Sequence, residues 1–408
     1  MKNSGIPWIG EIPEKWKVDI LSVLFFEHKC KNIGMREKNL LSLSYGNIIK
    51  KDINTSEGLL PESFETYNII DKGDIIFRLT DLQNDKRSLR TGLCKEKGII
   101  TSAYVCLRKR STNSSEYFHY LFHAYDICKV FYGYGGGVRQ GMNYEDLRKL
   151  PIVFPPLSVQ QAIADFLDKK CAEIDQMVAL QEEFIEELKA YKQSLIIETV
   201  TKGLNPNAPM KDSGVECIGN VPQQWDVILL PFVFRNLDYL REPISAEQRS
   251  RKNPIYDYYG ASGIIDKIDF YNVDDDVLLI GEDGANLRMR NLPLIYRATG
   301  KFWVNNHAHI LKPIKDNINF MQYMLEALDY NDFITGSAQP KLSQDNLAKV
   351  RVCVPTLPEQ QAIADYLDKK CAEIDQLIAI KQKKADELKE YKKSIIYEYV
   401  TGKRSVCE

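Results

Sequence analysis

The sequence predicts an α+β chain: two pseudo-repeated α/β domains separated by two long helices that pair as an antiparallel coiled coil. Three observations lead there. Residues 160–176 read QQAIADFLDKKCAEIDQ and residues 360–376 read QQAIADYLDKKCAEIDQ, identical at sixteen of seventeen positions in a chain of 408. The likeness continues on both sides, with KLPIVFPPLSVQQ (149–161) against KVRVCVPTLPEQQ (349–361) and ELKAYKQSLIIETVT (187–201) against ELKEYKKSIIYEYVT (387–401). A further repeat, SGIPWIGEIPEKW (4–16) and SGVECIGNVPQQW (213–225), leads each half. A period of half the chain is far beyond solenoid lengths and means domain duplication.

In chain order, residues 1–154 form the first domain with its lead. From residue 17 onward, short apolar runs such as DIIFRLTDL and GIITSAYVCL alternate with Gly, Asn and Asp loops, as strands do. One helical stretch, SEYFHYLFHAYDICKVF, comes late in this block. Residues 155–203 are the first long helix. Leu167, Ile174, Leu188 and Leu195 keep a seven-residue spacing broken only by Gln181, with Cys171, Val178, Ile185 and Tyr191 as companions. That is a coiled-coil seam. Pro155 and Pro156, followed by Ser158 and Gln161, signal its start, and Gly203 and Pro206 its stop. A helix of roughly 40 residues is about 60 Å long.

Residues 204–222 hold a linker and the second lead, and the Asn, Pro and Gly of KGLNPNAPMKD mark a domain boundary. Residues 223–354 repeat the strand-and-loop pattern in DVLLIGED and FWVNNHAHILK, and the helical one in NINFMQYMLEAL. Residues 355–408 are the second long helix, with Leu367, Ile374, Leu388 and Ile395 in the seam, Lys381 interrupting it, and Cys371, Ile378 and Tyr391 as companions. Pro358 fits only its first turn. Glu182, Glu183, Glu186 and Glu187 on one helix face Lys381, Lys383 and Lys384 on the other if the pair is antiparallel and crosses near Gln181 and Lys381.

Composition sets the bounds. With 27% charged and 44% hydrophobic residues the chain has a soluble, globular profile. No apolar run approaches 18 residues and MKNSGIPWIGEIP lacks a signal core, so neither a membrane span nor a secretion signal is expected. Nine cysteines without a CxxC pair suit reduced thiols and a cytoplasmic location. The net charge of −2 does not advertise nucleic-acid binding, but it is unevenly spread. It is +5 over 14–154, −4 over 155–203, −2 over 223–354 and 0 over 355–408. Any DNA-binding surface must come from local clusters.

The duplicated PPLSVQQAIADFLDKKCAEIDQ and PTLPEQQAIADYLDKKCAEIDQ resemble the specificity subunit of a type I DNA restriction–modification system. The SG…IG…P…W leads and the segments GGGVRQGMNYEDL (135–147) and GSAQPKLSQDNL (336–347) extend the resemblance over essentially the whole chain. It implies that each variable block is a target-recognition domain reading half of a bipartite, asymmetric site in double-stranded DNA. It implies that the helices space these domains and dock two methyltransferase subunits, and that two restriction subunits can join. The positions involved are then Gln160, Gln161, Ile163, Leu167, Ile174, Gln181, Leu188 and Leu195, with Gln360, Gln361, Ile363, Leu367, Ile374, Lys381, Leu388 and Ile395. Adenine-N6 methylation with S-adenosylmethionine, and ATP- and Mg-dependent cleavage, would belong to the partner subunits. Two other readings compete: a recognition module of another restriction or methylation enzyme, and a coiled-coil scaffold with no DNA role.

The chain itself carries no legible catalytic chemistry. NPNAP (205–209) lacks the aromatic of a base-holding NPPY, and no GxxxxGK[ST] phosphate loop occurs. His119 and His123 stand at helical i, i+4 spacing and His307 and His309 on one strand face, without the Cys or carboxylates of a metal set. A non-catalytic chain with no cofactor or metal of its own is expected. Sequence readout needs side chains that reach base edges, flanked by phosphate-holding cations. In the first block Tyr45, Asn47, Arg78, Gln83, Asn84, Lys86, Arg87, Arg90, Arg139 and Gln140 have that character. In the second, Asn286, Arg288, Arg290, Asn305, Asn306, His307, Gln339 and Lys341 do.

Overall fold

Each variable block is closed by its own two ends. Lys17–Ile20 pairs antiparallel with Pro151–Phe154, Lys17 opposite Phe154, and Asp226–Leu229 pairs in the same way with Arg351–Val354, Asp226 opposite Val354. The computed structural model describes every residue except 54–62, 81, 83–88, 134–140, 217, 246, 248, 250–253 and 407–408. It divides into two units, Met1–Glu182 with Lys383–Glu408, and Glu183–Gln382. Among the described residues no helix is long and apolar enough to cross a membrane.

In the first unit a four-stranded antiparallel sheet runs in the order Phe25–Glu27, Val105–Lys109, Ile75–Phe77, Thr91–Leu93. The helix Ser115–Ile127 lies on it. Ser114 caps this helix, its hydroxyl accepting from the Tyr117 amide at 3.1 Å. Phe118 and Phe122, one turn apart, meet Phe25 and Phe77 edge-on at 5.0 and 5.1 Å. Such contacts add about 1 kcal/mol each beyond area burial.

The second unit contains a six-stranded sheet in the order Phe234–Asn236, Ala308–Pro313, Val273–Gly281, Ile295–Val304, Tyr256–Gly260, Gly263–Ile268. Its first four strands repeat the first unit's order. Its last two are an addition, joined by a parallel pairing of Tyr256–Gly260 to Ile295–Val304. The run FWVNNHAHILK is therefore two strands, broken at Asn305–His307, because that segment turns there. The Asn305 carboxamide accepts from the His307 amide at 2.8 Å and caps the turn. The helix Ile318–Ala327 is capped by Asn317, which accepts from the Phe320 amide at 3.0 Å.

The long helices are Leu157–Lys202 and Leu357–Val400, 46 and 44 residues. In the first unit Ile163, Ala164, Leu167, Cys171, Ile174 and Val178 share a core with Ile395, Ile396, Tyr399 and Val400. Phe166 stacks near Tyr399 at 4.5 Å, Asp175 binds Lys392 at 2.6 Å and Glu182 binds Lys389 at 2.8 Å. Numbers rise along one helix as they fall along the other, so the packing is antiparallel. In the second unit Lys192 binds Asp375 at 2.7 Å and the Lys381 ammonium lies 4.8 Å over the Phe184 ring. The interhelical pairs thus differ from the expected Glu183, Glu186 and Glu187 with Lys383 and Lys384. Glu186 instead binds Lys189, and Lys383 faces Glu387, each a neighbour one turn away on its own helix. Tyr191 and Tyr391, read as seam companions, are exposed.

Gln160 and Gln360, both buried, join helix to domain. The Gln160 carboxamide accepts from the Ser114 amide at 3.0 Å and donates to Pro155 O at 2.9 Å and Asn113 Oδ1 at 3.2 Å. Gln360 accepts from the Asn317 amide at 2.8 Å and donates to Pro355 O at 3.0 Å and Asp316 Oδ1 at 2.8 Å. This corrects the docking assignment for these two residues: every polar atom points inward. Ile163, Leu167, Ile174, Ile363, Leu367, Ile374 and Ile395 are likewise core. Gln161 and Gln361 are exposed, and Gln181, Leu188, Leu195, Lys381 and Leu388 are half-buried.

Candidate nucleic-acid interface

In the first unit the strands Leu41–Ser44 and Asn47–Lys50 make a hairpin whose two-residue turn is Tyr45–Gly46. Both turn residues have positive φ, 45° and 81°, the left-handed conformation that matches hairpin twist. Gly46 suits this conformation, and a Cβ added there would crowd the Leu89 side chain at 3.1 Å. The Tyr45 ring is 72% exposed at the tip, with Asn47 exposed beside it. Arg78, half-buried, follows the central strand, and its amide donates to Arg90 O at 2.8 Å.

Arg90 is not a reading residue. It is fully buried, its guanidinium donates to Thr80 O at 2.8 Å and lies over the Tyr132 ring, and its amide donates to Asp126. Gln83, Asn84, Lys86, Arg87, Arg139 and Gln140 lie outside the described residues.

Below the hairpin a cleft of about 990 Å³ is lined by Tyr45, Asn47, Lys72 and Lys95, by His119 and His123, and by Lys392 and Lys393 of the long helix. Burial, then His123 and Lys95, push the His119 imidazole down to about 3. Burial, then Lys392 and Lys393, push His123 down to about 4. Both rings are neutral at pH 7, whereas in the unfolded chain they take protons near pH 6.5. The stability they carry is complete above that value and is lost as pH falls toward about 4 and about 3. The melting temperature of this unit is therefore expected to decline between pH 6.5 and 4, and His119→Gln with His123→Gln to flatten the decline. Equal declines in parent and variant would remove these residues as its cause. Among the described residues the one cluster with metal-ligand spacing is His28, Asp71 and Asp74. Arg108 already holds both its carboxylates, Asp74 in a two-point grip at 2.7 and 2.8 Å and Asp71 at 2.7 Å.

In the second unit three separate segments converge beyond the sheet's Val273–Gly281 strand: Glu282–Gly284, the turn Asn305–His307, and 335–342. The Glu282 amide donates to His307 O at 2.9 Å, the Leu342 amide to Glu282 O at 2.7 Å, and the Gly284 amide to Pro340 O at 3.1 Å. Asn306, His307, Gln339 and Lys341 are thereby brought onto one surface and are exposed. His307 Nδ1 lies 2.6 Å from Asp283 Oδ2, and Lys341 Nζ 3.0 Å from Glu282 Oε1. Arg288 is exposed on the short helix after Gly284, its guanidinium near Ile334 O at 3.4 Å.

Three other expected readers turn inward. Asn305 is buried as the turn cap. Asn286 closes its own loop, its carboxamide oxygen accepting from the Leu292 amide at 2.9 Å and its nitrogen donating to Leu292 O at 3.1 Å. The Arg290 guanidinium donates to Glu326 O and stacks on Tyr330. Each side chain satisfies a nearby backbone group that would otherwise be unpaired.

Beneath this surface are residues that the sequence did not mark as part of a DNA-contacting site. His309, fully buried, has Nδ1 2.6 Å from Asp238 Oδ2 and Nε2 2.8 Å from Leu342 O. Arg241 binds Glu282 and lies 3.4 Å from Asp238. Burial raises the Asp238 carboxyl, but the His309 hydrogen bond, the Ile310 amide and Arg241 outweigh it and hold it below its usual range. The Glu282 carboxyl is held low against burial by Arg241 and Lys341. Asp238, Arg241, Glu282 and His309 are spread over more than 70 positions, and no local pattern joins them.

The profile of the type I restriction modification DNA specificity domain matches the chain twice, at residues 35–190 and 240–390. The putative type I restriction enzyme MjaX specificity subunit of Methanocaldococcus jannaschii is 25% identical over 422 residues, spanning 97% of this chain and 95% of its own. Two solved structures share the fold. A chain from a type I R-M system, studied for complex assembly and conformational transition, has a TM-score of 0.73 at 15% identity, covering 96% of this chain and 98% of that one. The HsdS subunit from Thermoanaerobacter tengcongensis has 0.52 at 16%, covering 97% and 98%.

Proposed function

Because the chain belongs to the type I restriction–modification DNA specificity family, we propose that its two target-recognition domains read the two halves of one asymmetric duplex site while the helices dock two methyltransferase subunits. Tyr45 and Asn47 read for the first domain; Asn306, His307, Gln339 and Lys341 for the second. The chain is the non-catalytic specificity component. S-adenosylmethionine is bound by the methyltransferases, ATP and Mg by restriction subunits where these join, and the assembly works in the cytosol.

The observation that carries the stoichiometry is a set of exposed apolar side chains that occurs twice. In the first unit Met177, Leu180 and Tyr391 are exposed by 49, 50 and 52%. Their counterparts 200 positions away, Leu377, Ile380 and Tyr191, are exposed by 47, 62 and 58% in the second. Large apolar side chains left in water at matching places in both repeats suit two copies of one partner. Native mass spectrometry of the complex is expected to give two methyltransferases per specificity chain, and Leu180→Glu with Tyr391→Ala to give one. Saturation at one in the unaltered complex would refute the reading. Mapping methylated adenines in cells carrying the system identifies the site.

A further inference from the structure

We propose that His309 is a positioning residue for the second target-recognition domain, setting through the segment 335–342 where Lys341 and Gln339 meet DNA. The proposal rests on the reading of that surface as a DNA contact.

The geometry is a relay from the sheet to the surface. His309 sits in the strand Ala308–Pro313 and is wholly buried. Its Nε2 faces the carbonyl of Leu342 at 2.8 Å, so that nitrogen carries a proton and donates. Its Nδ1 faces Asp238 at 2.6 Å, and the other Asp238 oxygen accepts from the Ile310 amide at 2.8 Å, which locks the ring against rotation. Leu342 is the residue after Lys341, so the ring grips the segment from beneath one position away from the cation. Glu282 grips it from the side: its carbonyl accepts from the Leu342 amide at 2.7 Å and one carboxylate oxygen holds Lys341 Nζ at 3.0 Å. The other oxygen is fixed by Arg241, which also leans on Asp238. Charges alternate along the chain Asp238, Arg241, Glu282, Lys341, and the last member emerges into solvent with its side chain 54% exposed.

A buried ionic cluster is a poor way to gain stability, since a packed apolar group of similar volume often does as well or better. What it provides here is direction. The segment has a fixed height and a fixed lateral position, and an ammonium displaced by an ångström from a phosphate loses much of its hydrogen bond. Without His309 the Leu342 carbonyl and Asp238 lose their shared partner, and the segment keeps only its outer attachments.

The test uses the specificity chain with its methyltransferases and a duplex carrying the methylation site mapped in cells. Affinity is measured against salt for the parent, Lys341→Ala, His309→Gln, Asp238→Asn and the double variant His309→Gln/Lys341→Ala. Lys341→Ala is expected to lower the salt slope by about one, as loss of one phosphate contact does. His309→Gln is expected to flatten the slope similarly, weaken binding about ten-fold, and relax discrimination in the second half-site alone. The double variant is expected to be no worse than the more severe single one, the mark of residues acting through one another. A merely structural His309 would leave the slope unchanged or add its loss to that of Lys341, and either result overturns the proposal. If His309→Gln does not fold, Asp238→Asn, which keeps the side-chain shape but weakens its hold on the His309 ring, decides by the same slope and the same cycle with Lys341→Ala. If instead Lys341→Ala and Gln339→Ala both bind as the parent does, this surface does not contact DNA, and it is the underlying reading that fails.

Discussion

Exchanging residues 226–354 for the corresponding block of another family member is expected to change one half of the methylated site and leave the other half intact. The grounds are topological and energetic. The chain enters this block along Asp226–Leu229 and leaves it along Arg351–Val354, and those strands are paired to each other. The cut ends are therefore neighbours, and a replacement needs only to begin and end at the same place. The block's sheet and helix bury Phe234, Leu278, Ile280, Phe320 and Met324 in one core with Ile363, Ala364 and Leu367, helix residues that the two repeats share. The first unit's core contains none of these residues. Sites with no shared partners behave independently. Sequencing methylated adenines before and after the exchange is the measurement, and a change in both half-sites would mean that the domains do not read separately.

Removing either buried carboxamide is expected to cost about 3–5 kcal/mol, among the largest effects of any single substitution in this chain. Gln160→Met keeps the length and apolar stem, but strands the Ser114 amide and the Pro155 carbonyl, and Asn113 loses its donor. Gln360→Met does the same to the Asn317 amide, the Pro355 carbonyl and Asp316. Ser114 and Asn317 are also the N-caps of the two domain helices, so the loss reaches their first turns. Denaturant unfolding should report the loss in the midpoint with little change in slope. A cost below about 1 kcal/mol for both variants would mean that water replaces the carboxamide, and that the clamp is dispensable.

The antiparallel helix pair was legible because its signal is local and doubled. A heptad pattern needs only its own residues, and the second copy repeats it. Helix ends were legible for the same reason: the prolines at 155 and 156 and the glycine at 203 bracket the helix Leu157–Lys202. The late helices in each block were also visible as Phe- and Tyr-rich or Met- and Leu-rich stretches, now Ser115–Ile127 and Ile318–Ala327. Arg90 was misread because its burial depends on Asp126 and Tyr132, 36 and 42 residues away. Asn305 and Asn286 carried the right chemistry for adenine, yet each carboxamide is spent on its own turn. Gln160 was placed on the correct helix with the wrong orientation, since a heptad pattern ranks apolar positions and is silent on a buried amide.

The duplication, the two long helices and the family to which they belong were all readable in the residues alone. Each of these is a property of residues near one another or of one segment matched to another. Which polar side chains face water was settled by the three-dimensional packing. It drew 282–284, 305–307 and 335–342 onto one surface, put His309 and Asp238 beneath it, and turned Arg90 and Arg290 inward. The physical reason is that a buried donor must find an acceptor wherever the fold supplies one. For these residues the acceptor lies far along the chain, where no window of sequence can see it.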